Sequence, residues 1–353
     1  MPKHTSDNLR IKRKHLVWLK DAKGLSQSSV DKAAASIATY DKWLKGKDYR
    51  AFHSERASAF KRHLEGRRND RTGAPLSAAT INGVLRDVMK FFDWMADQPG
   101  YKSRISRADI AYLTPDRKSE QARRSTLWKP HPSPEQVSYL LSVMPIETVI
   151  QRRDRALIAF LFLTGSREGA AITVRLRHVD LANKCVQFDG RSMDTKFGKS
   201  FTTSFFPFGD DVEKILRDWI TELRQVHLFS DTDPLFPKTR VAVGPSRRFE
   251  AVGIAHEPWA GPSSAAGIFK QAFIEAGLPP FSPHRVRDTI AELAKHYCRT
   301  PEDYKVWSQN MGHDDVMTTF SSYGSVSPGR QVELMARFRQ RGPLPEEEDV
   351  FER

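Results

Sequence analysis

The chain has little cysteine and no long hydrophobic run. Cys185 and Cys298 are the only thiols among 353 residues, and two isolated cysteines form neither a disulfide framework nor a zinc site. Such sparse cysteine is typical of the reducing cytosol. The longest apolar run, 156–163, is too short to cross a bilayer and predicts a buried helix. No apolar stretch follows Met1, so we expect no signal peptide, no membrane partner and a cytoplasmic location.

Acidic residues are scarce in the first third of the chain. Residues 1–130 hold 28 Lys and Arg against 14 Asp and Glu, whereas residues 131–353 hold 28 against 29. The formal net charge of +13 therefore arises in the first part alone. A basic surface of this kind is typical of proteins that bind nucleic-acid phosphates. Composition by itself leaves open a soluble protein that is basic without such a partner.

Residues 8–98 carry apolar side chains at the three- and four-residue spacing of amphipathic helices. The clearest patterns lie at 30–44 and 81–95, and shorter ones lie at 57–64 and 9–19. Four helices in about 90 residues form a small bundle. Cations are frequent on its polar faces, which favours a DNA-binding domain.

The second part of the chain contains two short strand patterns among helical ones. The runs 185–188 and 201–206 flank the polar, glycine-containing segment 189–200, which predicts an antiparallel hairpin. Helical patterns begin at Ser133 and occupy the ranges 154–164, 210–226, 263–276, 284–297 and 301–310. Residues 241–262 have no pattern that we could assign. We expect a mainly α fold with a small antiparallel β-sheet, of the α+β class.

Changes in composition divide the chain into four parts. One polar segment rich in Arg and Lys resembles a linker, and the last ten residues hold five acidic side chains. We predict a helical DNA-binding domain at 1–114 and a basic linker at 115–132. A catalytic domain at 133–343 and an acidic tail at 344–353 follow.

Three motifs in the predicted catalytic domain carry chemically active side chains. They are Thr164-Gly165-Ser166-Arg167, His284-Arg285-Val286-Arg287 and Gly312-His313, with Tyr323 ten residues after the last histidine. A guanidinium can bind two non-bridging oxygens of a phosphate, and a His-x-x-Arg spacing places both side chains on one helical face. An imidazole can exchange a proton, and a tyrosine hydroxyl is a weak nucleophile. Together they suit attack on a phosphodiester, whose transition state gains negative charge.

In this order the motifs resemble those of the tyrosine recombinase (phage integrase) family, and the resemblance covers nearly the whole chain. It implies a SAM-like four-helix core-binding domain followed by a DNA breaking-rejoining catalytic domain. It also implies that Arg167, His284, Arg287 and His313 surround a DNA phosphate and that Tyr323 attacks it. The product would be a 3′-phosphotyrosine, which keeps the bond energy, so that neither a nucleotide cofactor nor a metal is expected.

The resemblance further implies a lysine in the predicted hairpin that protonates the leaving 5′ oxygen. The Thr-Lys-x-Gly form favours Lys196, whereas counting back eight residues from Pro207 gives Lys199. We predict Lys196.

Three positions depart from the family pattern. Ala170 stands where the family often has a glutamate three residues after the first arginine, and Asp288 stands where a histidine is common. The spacing from His313 to Tyr323 is ten residues rather than nine. The carboxylate that orients the first arginine in many members is therefore absent from its usual position.

We predict a site-specific recombinase of double-stranded DNA, acting in the cytoplasm at the nucleoid as the integrase of a mobile element. A short amphipathic helix expected at 328–341 would dock on a neighbouring protomer, giving a homo-oligomer such as a tetramer on two DNA sites, or on its own domain. A type IB topoisomerase and a catalytically silent DNA-binding regulator are the alternatives.

Overall fold

The computed structural model describes most of the chain. The described residues are 3–70, 72–115, 130–195, 198–243 and 247–313, with 329, 332–333 and 335–337. The chain clusters into two compact units, Met1–Ser125 and Thr126–Arg353. It is mostly helical, at 58%, with small antiparallel sheets, so the predicted fold class is confirmed. Within the described ranges, no helix has the length and hydropathy needed to span a bilayer.

Long helices build the N-terminal unit. They are α1 (Lys3–Asp21), α2 (Gln27–Leu44), α3 (Ser54–Gly66) and α4 (Ala78–Ala96), followed by the short α5 (Arg107–Ile110). Ser26 and Ser77 begin two of them, since each hydroxyl accepts a hydrogen bond from the amide three residues later. Such a cap satisfies an amide that the first helical turn leaves unpaired.

The core of this unit is aromatic. The buried ring of Tyr40 makes edge-to-face contacts with Phe60, at 4.9 Å between centroids, and with Phe92, at 5.2 Å. Each such pair adds about 0.5–1.5 kcal/mol to the stabilisation from burial alone. The Tyr49 hydroxyl donates to Asp41, so a polar group at the edge of this core has a partner.

His15 lies in the same core with an exposed fraction of 1%. Its ring packs against Phe91, at 5.0 Å, and Trp94, at 4.8 Å. No described residue forms a hydrogen bond with its Nδ1. Burial lowers the pKa of His15 to about 4, because this apolar site disfavours the charged imidazole.

The C-terminal unit is built around one buried helix. Its helices are α6 (Pro134–Val143), α7 (Val149–Thr164), α8 (Glu168–Thr173), α9 (Asp210–Gln225), α10 (Ser263–Glu275), α11 (Arg285–Tyr297) and α12 (Pro301–Asn310). Every side chain from Ala156 to Thr164 in α7 is buried. The helix begins earlier than the predicted residue 154, because Thr148 and Gln151 form a capping box ahead of its charged first turns.

Two small antiparallel sheets complete the unit. The first has the order β1 (Val179–Asp180), β2 (Cys185–Phe188), β3 (Phe201–Ser204), and its last two strands are the hairpin predicted from the sequence. A Cβ at Gly190 would lie 1.9 Å from the carbonyl oxygen of Gly198, so the loop of this hairpin requires a glycine there.

The second sheet is a two-stranded ribbon of β4 (Pro237–Val243) and β5 (Phe249–Pro258). It lies largely in the segment 241–262, which our sequence analysis left unassigned. Most of its outer residues are exposed on both faces, so the burial that normally produces a strand pattern is absent.

Candidate active site

The first predicted arginine follows a sharp turn at the end of α7. Gly165 adopts a left-handed conformation, with φ 59° and ψ 17°, and its amide donates to the Leu161 carbonyl. A Cβ at Gly165 would lie 3.0 Å from Ile290 Cδ1, so both the conformation and the space favour glycine. The Thr164 hydroxyl bonds Ser166 Oγ at 3.0 Å and fixes the turn. Arg167 therefore lies between α7 and α8, directly after a turn that hydrogen bonds hold in place.

The second predicted arginine is buried and held by neutral groups. Arg287, 6% exposed, donates from Nη1 to the Gly165 carbonyl at 2.5 Å and from Nη2 to the Met311 carbonyl at 2.9 Å. Its Nη2 also contacts His313 Nε2. A guanidinium can only donate, so His313 accepts at Nε2 in this contact. Arg287 thus joins all three predicted motifs.

The two arginines influence each other electrostatically. Burial, reinforced by the charge of Arg167, lowers the pKa of Arg287 to about 9. Burial also lowers the pKa of Arg167, against the opposing charge of Glu168. Both guanidiniums remain charged at neutral pH. Among the described residues, the Arg167 guanidinium has neither an ion pair nor a hydrogen bond. An anion would stabilise two cations placed in this way.

His284 immediately precedes α11. Burial lowers its pKa, and the charges of Arg285 and Arg287 act in the same direction, whereas Asp288 opposes them. The ring is therefore neutral at neutral pH and can accept or donate a proton. Asp288, whose role the sequence left open, forms a 2.5 Å ion pair with Arg285.

A small cavity lies between these elements. Its lining comes from the α7 turn, the hairpin loop and α11, and comprises Thr164, Gly165, Ser166, Arg167, Ala170, Asp194, Thr195, Phe201, Arg287 and Met311. Ala170 lies in this lining, and the carboxylate of Asp194 lies there as well. A cavity with two guanidiniums on its wall can bind the non-bridging oxygens of a phosphate.

Thr195 is a cavity residue that our sequence analysis did not select. It is 8% exposed, and its hydroxyl has no hydrogen-bond partner in the described part of the chain. The adjacent Asp194 is fixed by a 3.1 Å bond from its amide to Thr173 Oγ1 and by close packing against Gly169. Only its place next to the predicted Lys196 could have indicated this threonine, because a single hydroxyl has no distinctive sequence pattern.

Some predicted site residues fall outside the described ranges. These are Lys196 and Tyr323, whose assignments stay predictions, as does most of the helix expected at 328–341. The alternative lysine, Lys199, is described and lies half-buried in the loop between β2 and β3. The described members Arg167, Arg287 and His313 meet at one place, and His284 is near enough to respond to the charge of Arg287.

Residues 133–330 match the model of the phage integrase family. The chain belongs to this family. It is a tyrosine-type site-specific recombinase, the enzyme class predicted from the motifs. Among relatives, it is 25% identical over 327 residues to the tyrosine recombinase XerD of Ralstonia nicotianae, covering 92% of each chain. It is 26% identical over 278 residues to XerD of Neisseria meningitidis serogroup B, covering 69% of this chain and 86% of that one.

Solved structures of other recombinases have a similar fold. A lambda integrase(75–356) dimer bound to a COC′ core site aligns with a TM-score of 0.62 at 13% identity, covering 89% of this chain and 94% of that one. The XerH recombinase in its post-cleavage complex with a palindromic difH substrate aligns with a TM-score of 0.61 at 14% identity, covering 95% of this chain and 85% of that one. At such identities the likeness concerns the fold alone.

Proposed function

We propose that this recombinase cleaves and rejoins double-stranded DNA through a 3′-phosphotyrosine on Tyr323. The observation that carries the proposal is the paired placement of Arg167 and Arg287, each of which has a pKa lowered by burial. Cations inside a protein are stabilised by an anionic partner, and a phosphodiester supplies two non-bridging oxygens in the geometry of a guanidinium fork. Two related folds solved with DNA sites support DNA as that partner.

The proposed cleavage step is a single displacement at phosphorus. The Tyr323 oxygen attacks the phosphorus, and the bond to the 5′ oxygen breaks. His284, neutral at neutral pH, takes the phenolic proton, and Lys196 gives a proton to the departing 5′ oxygen. Arg167 and Arg287 stabilise the charge that develops on the non-bridging oxygens, an effect worth several kcal/mol in a buried site.

Rejoining reverses this step. A 5′ hydroxyl attacks the phosphotyrosine, and the tyrosine leaves after recovering its proton. We propose that the attacking hydroxyl comes from a second DNA site, in integration or excision of a mobile element by a tetramer at the nucleoid in the cytoplasm. Relaxation of supercoiled DNA without strand exchange would instead indicate the topoisomerase alternative.

A nicked suicide substrate tests the proposed nucleophile. We expect Tyr323→Phe to bind DNA but to form no covalent protein–DNA adduct, because the attacking oxygen is gone. The matched control is Tyr297→Phe, which changes an exposed tyrosine of the same unit and should leave adduct formation intact. An adduct that persists in Tyr323→Phe would overturn the assignment.

A substrate with a sulfur at the 5′ bridging position tests the proposed general acid. Its leaving group departs without a proton, so we expect it to restore cleavage by Lys196→Ala. Lys199→Ala should cleave the ordinary substrate and gain nothing from the sulfur. The opposite pattern would transfer the role to Lys199.

A further inference from the structure

The outer part of the β4–β5 ribbon exposes apolar side chains on one face. Val243 lies opposite Phe249, and Val241 lies opposite Ala251 in the antiparallel register. Residues two apart on a strand share a face, so these four side chains form one strip. Val241, Val243 and Phe249 are 58%, 63% and 80% exposed. Such a strip on an exposed element indicates a binding surface.

The base of the ribbon is fixed to α7. Arg153, which is buried, donates to the Pro237 carbonyl at 3.0 Å and to Thr239 Oγ1 at 2.9 Å. The same guanidinium pairs with Asp154 at 2.7 Å and lies 4.9 Å from the ring centre of Trp259. The ribbon is therefore anchored by a buried, hydrogen-bonded cation on the helix that also supports the active-site turn.

A register shift separates this base from the outer part. Arg240 pairs with Gly253, whereas the next residue, Val241, pairs with Ala251. Gly253 has φ 149°, a conformation that favours glycine. Bulges of this kind bend a ribbon and increase its twist locally.

The outer part is also positively charged. Arg247 and Arg248 stand there against a single acidic residue, Glu250, and Arg240 lies at the edge of the base, although the sequence from 131 onward has slightly more acidic than basic residues. None of these three guanidiniums forms an ion pair with a residue that the structure describes. The excess positive charge at the end of the ribbon is thus available to an anionic partner.

We propose that the β4–β5 ribbon is a second DNA-binding element, which contacts duplex DNA outside the cleavage site. Adjacent strands lie about 4.8 Å apart, so a two-stranded ribbon with its side chains fits the major groove, which is about 12 Å wide. Arginines beside the strip bind phosphates, and the exposed Phe249 contacts bases or opens a base step as apolar side chains do in DNA-bending proteins.

Charge favours DNA over a second copy of the chain as the occupant. A twofold symmetric contact through this strip would bring the same patch of both copies together. Arg247 and Arg248 would then face their equivalents and repel them. A duplex offers phosphates to the same arginines, and therefore its charge is complementary.

The anchoring helix separates the base of the ribbon from the active-site turn. Arg153 precedes Thr164 by eleven residues on α7, a separation on the order of 17 Å at 1.5 Å per residue. That distance corresponds to roughly five base pairs at 3.4 Å each. This separation agrees with a contact outside the cleavage site.

A salt titration of the full-length protein on a long mixed-sequence duplex tests the proposal. We expect Arg247→Ala combined with Arg248→Ala to weaken binding and to reduce the slope of log affinity against log salt by about 0.9 for each phosphate that is no longer neutralised. The matched control combines Lys214→Ala with Arg224→Ala, which removes two exposed cations from α9 and should leave the slope unchanged.

Phe249→Ser supplies an independent readout. It should reduce DNA bending, measured by energy transfer between duplex ends, while the salt slope stays the same because the charge of the ribbon is unchanged. Equal slopes for the two double variants, together with unchanged bending, would overturn the proposal. A variant that changes the oligomeric state without DNA would overturn it in favour of a second copy as the occupant.

The ribbon proposal rests on the proposed function only because it takes DNA as the ligand. Different results would contradict the ribbon proposal and the proposed function. If the parent protein binds no duplex, the proposed function fails. If the parent binds and the ribbon variants bind and bend DNA equally well, only the ribbon proposal fails. Cleavage by the active site does not enter either measurement.

Discussion

The two units of this recombinase place their positive charge in opposite ways. The N-terminal unit has an aromatic core, and its cations line the surface, as Lys42, Lys45 and Lys47 do around one surface cleft. The C-terminal unit has little net charge but buries Arg153 and Arg287 in its interior. One unit therefore exposes its cations to solvent, and the other keeps a few of them where water is largely excluded.

This difference distinguishes the cations that would set DNA affinity from those that would act on the cleavage step. Exposed cations attract DNA over a distance, and salt screens them because they are surrounded by water. Buried cations lose solvation, which appears here as the lowered pKa of Arg167 and Arg287. They act strongly on a charge that forms beside them. We therefore propose that exposed cations, which are most concentrated in the N-terminal unit, bind DNA, whereas cleavage depends on a few positioned groups.

Removing three exposed cations from each unit in turn tests this difference, and we expect it to give the largest effect. Changing Lys42, Lys45 and Lys47 to alanine should reduce the salt slope of DNA affinity by about 0.9 for each phosphate that these lysines neutralise. The same substitution of Lys214, Arg217 and Arg224, exposed on α9, should leave it nearly unchanged. Similar slopes in both triple variants would show that the N-terminal surface is not the main electrostatic contact.

The two arginines of the active-site cavity should show the reverse behaviour. We expect Arg167→Ala and Arg287→Ala to raise the cleavage barrier by roughly 3 kcal/mol or more while DNA affinity changes little. Lys295→Ala on the same helix, which removes an exposed ion pair with Glu292, is the control. Single-turnover cleavage and equilibrium binding measure the two effects separately. Parallel decreases in rate and affinity would make these arginines ordinary phosphate anchors.

The sequence was most informative where burial creates periodicity or where chemistry requires an ordered set of side chains. Apolar spacing predicted the N-terminal bundle, and motif order predicted the family and the pairing of Arg167 with Arg287. The β4–β5 ribbon escaped prediction because neither face of its outer part is buried. Thr195 escaped because its position depends on contacts of the neighbouring Asp194 with distant Gly169 and Thr173.

His15 tests whether the N-terminal core excludes charge. Its pKa is about 4 in the folded unit and about 6.5 in the unfolded chain, so between these values the unfolded state binds more protons. Stability should therefore fall as pH falls from 6.5 to 4, by about 3 kcal/mol. Hydrogen exchange of the N-terminal unit within the full-length protein measures its stability at each pH.

Removing the titrating ring should remove this part of the acid sensitivity. His15→Phe keeps an aromatic ring among Phe91 and Trp94 and should flatten the pH profile between 6.5 and 4. His63→Phe changes an exposed histidine of the same unit and should leave the profile as it is. An unchanged profile in His15→Phe would mean that this core tolerates the charged imidazole.

Thr195 offers the smallest and sharpest test of the C-terminal unit. Its buried hydroxyl shares a cavity wall with Arg167 and Arg287 and lacks a partner among the described residues. A hydrogen bond from this hydroxyl to a non-bridging phosphate oxygen would explain why an unsatisfied polar group is kept there. Thr195→Val should then slow cleavage about tenfold, or about 1.4 kcal/mol, and Thr195→Ser should restore the rate.

Stability and a modified substrate separate this role from simple packing. Valine has nearly the same shape and no unpaired hydroxyl, so Thr195→Val should unfold at the same temperature as the parent or a higher one. On DNA whose scissile phosphate carries a methyl group in place of the contacted oxygen, parent and variant should cleave at equal rates, because neither can form the bond. A tenfold difference that persists on that substrate would show that Thr195 acts only by shaping the cavity, and the phosphate site would then consist of the two arginines and their histidines.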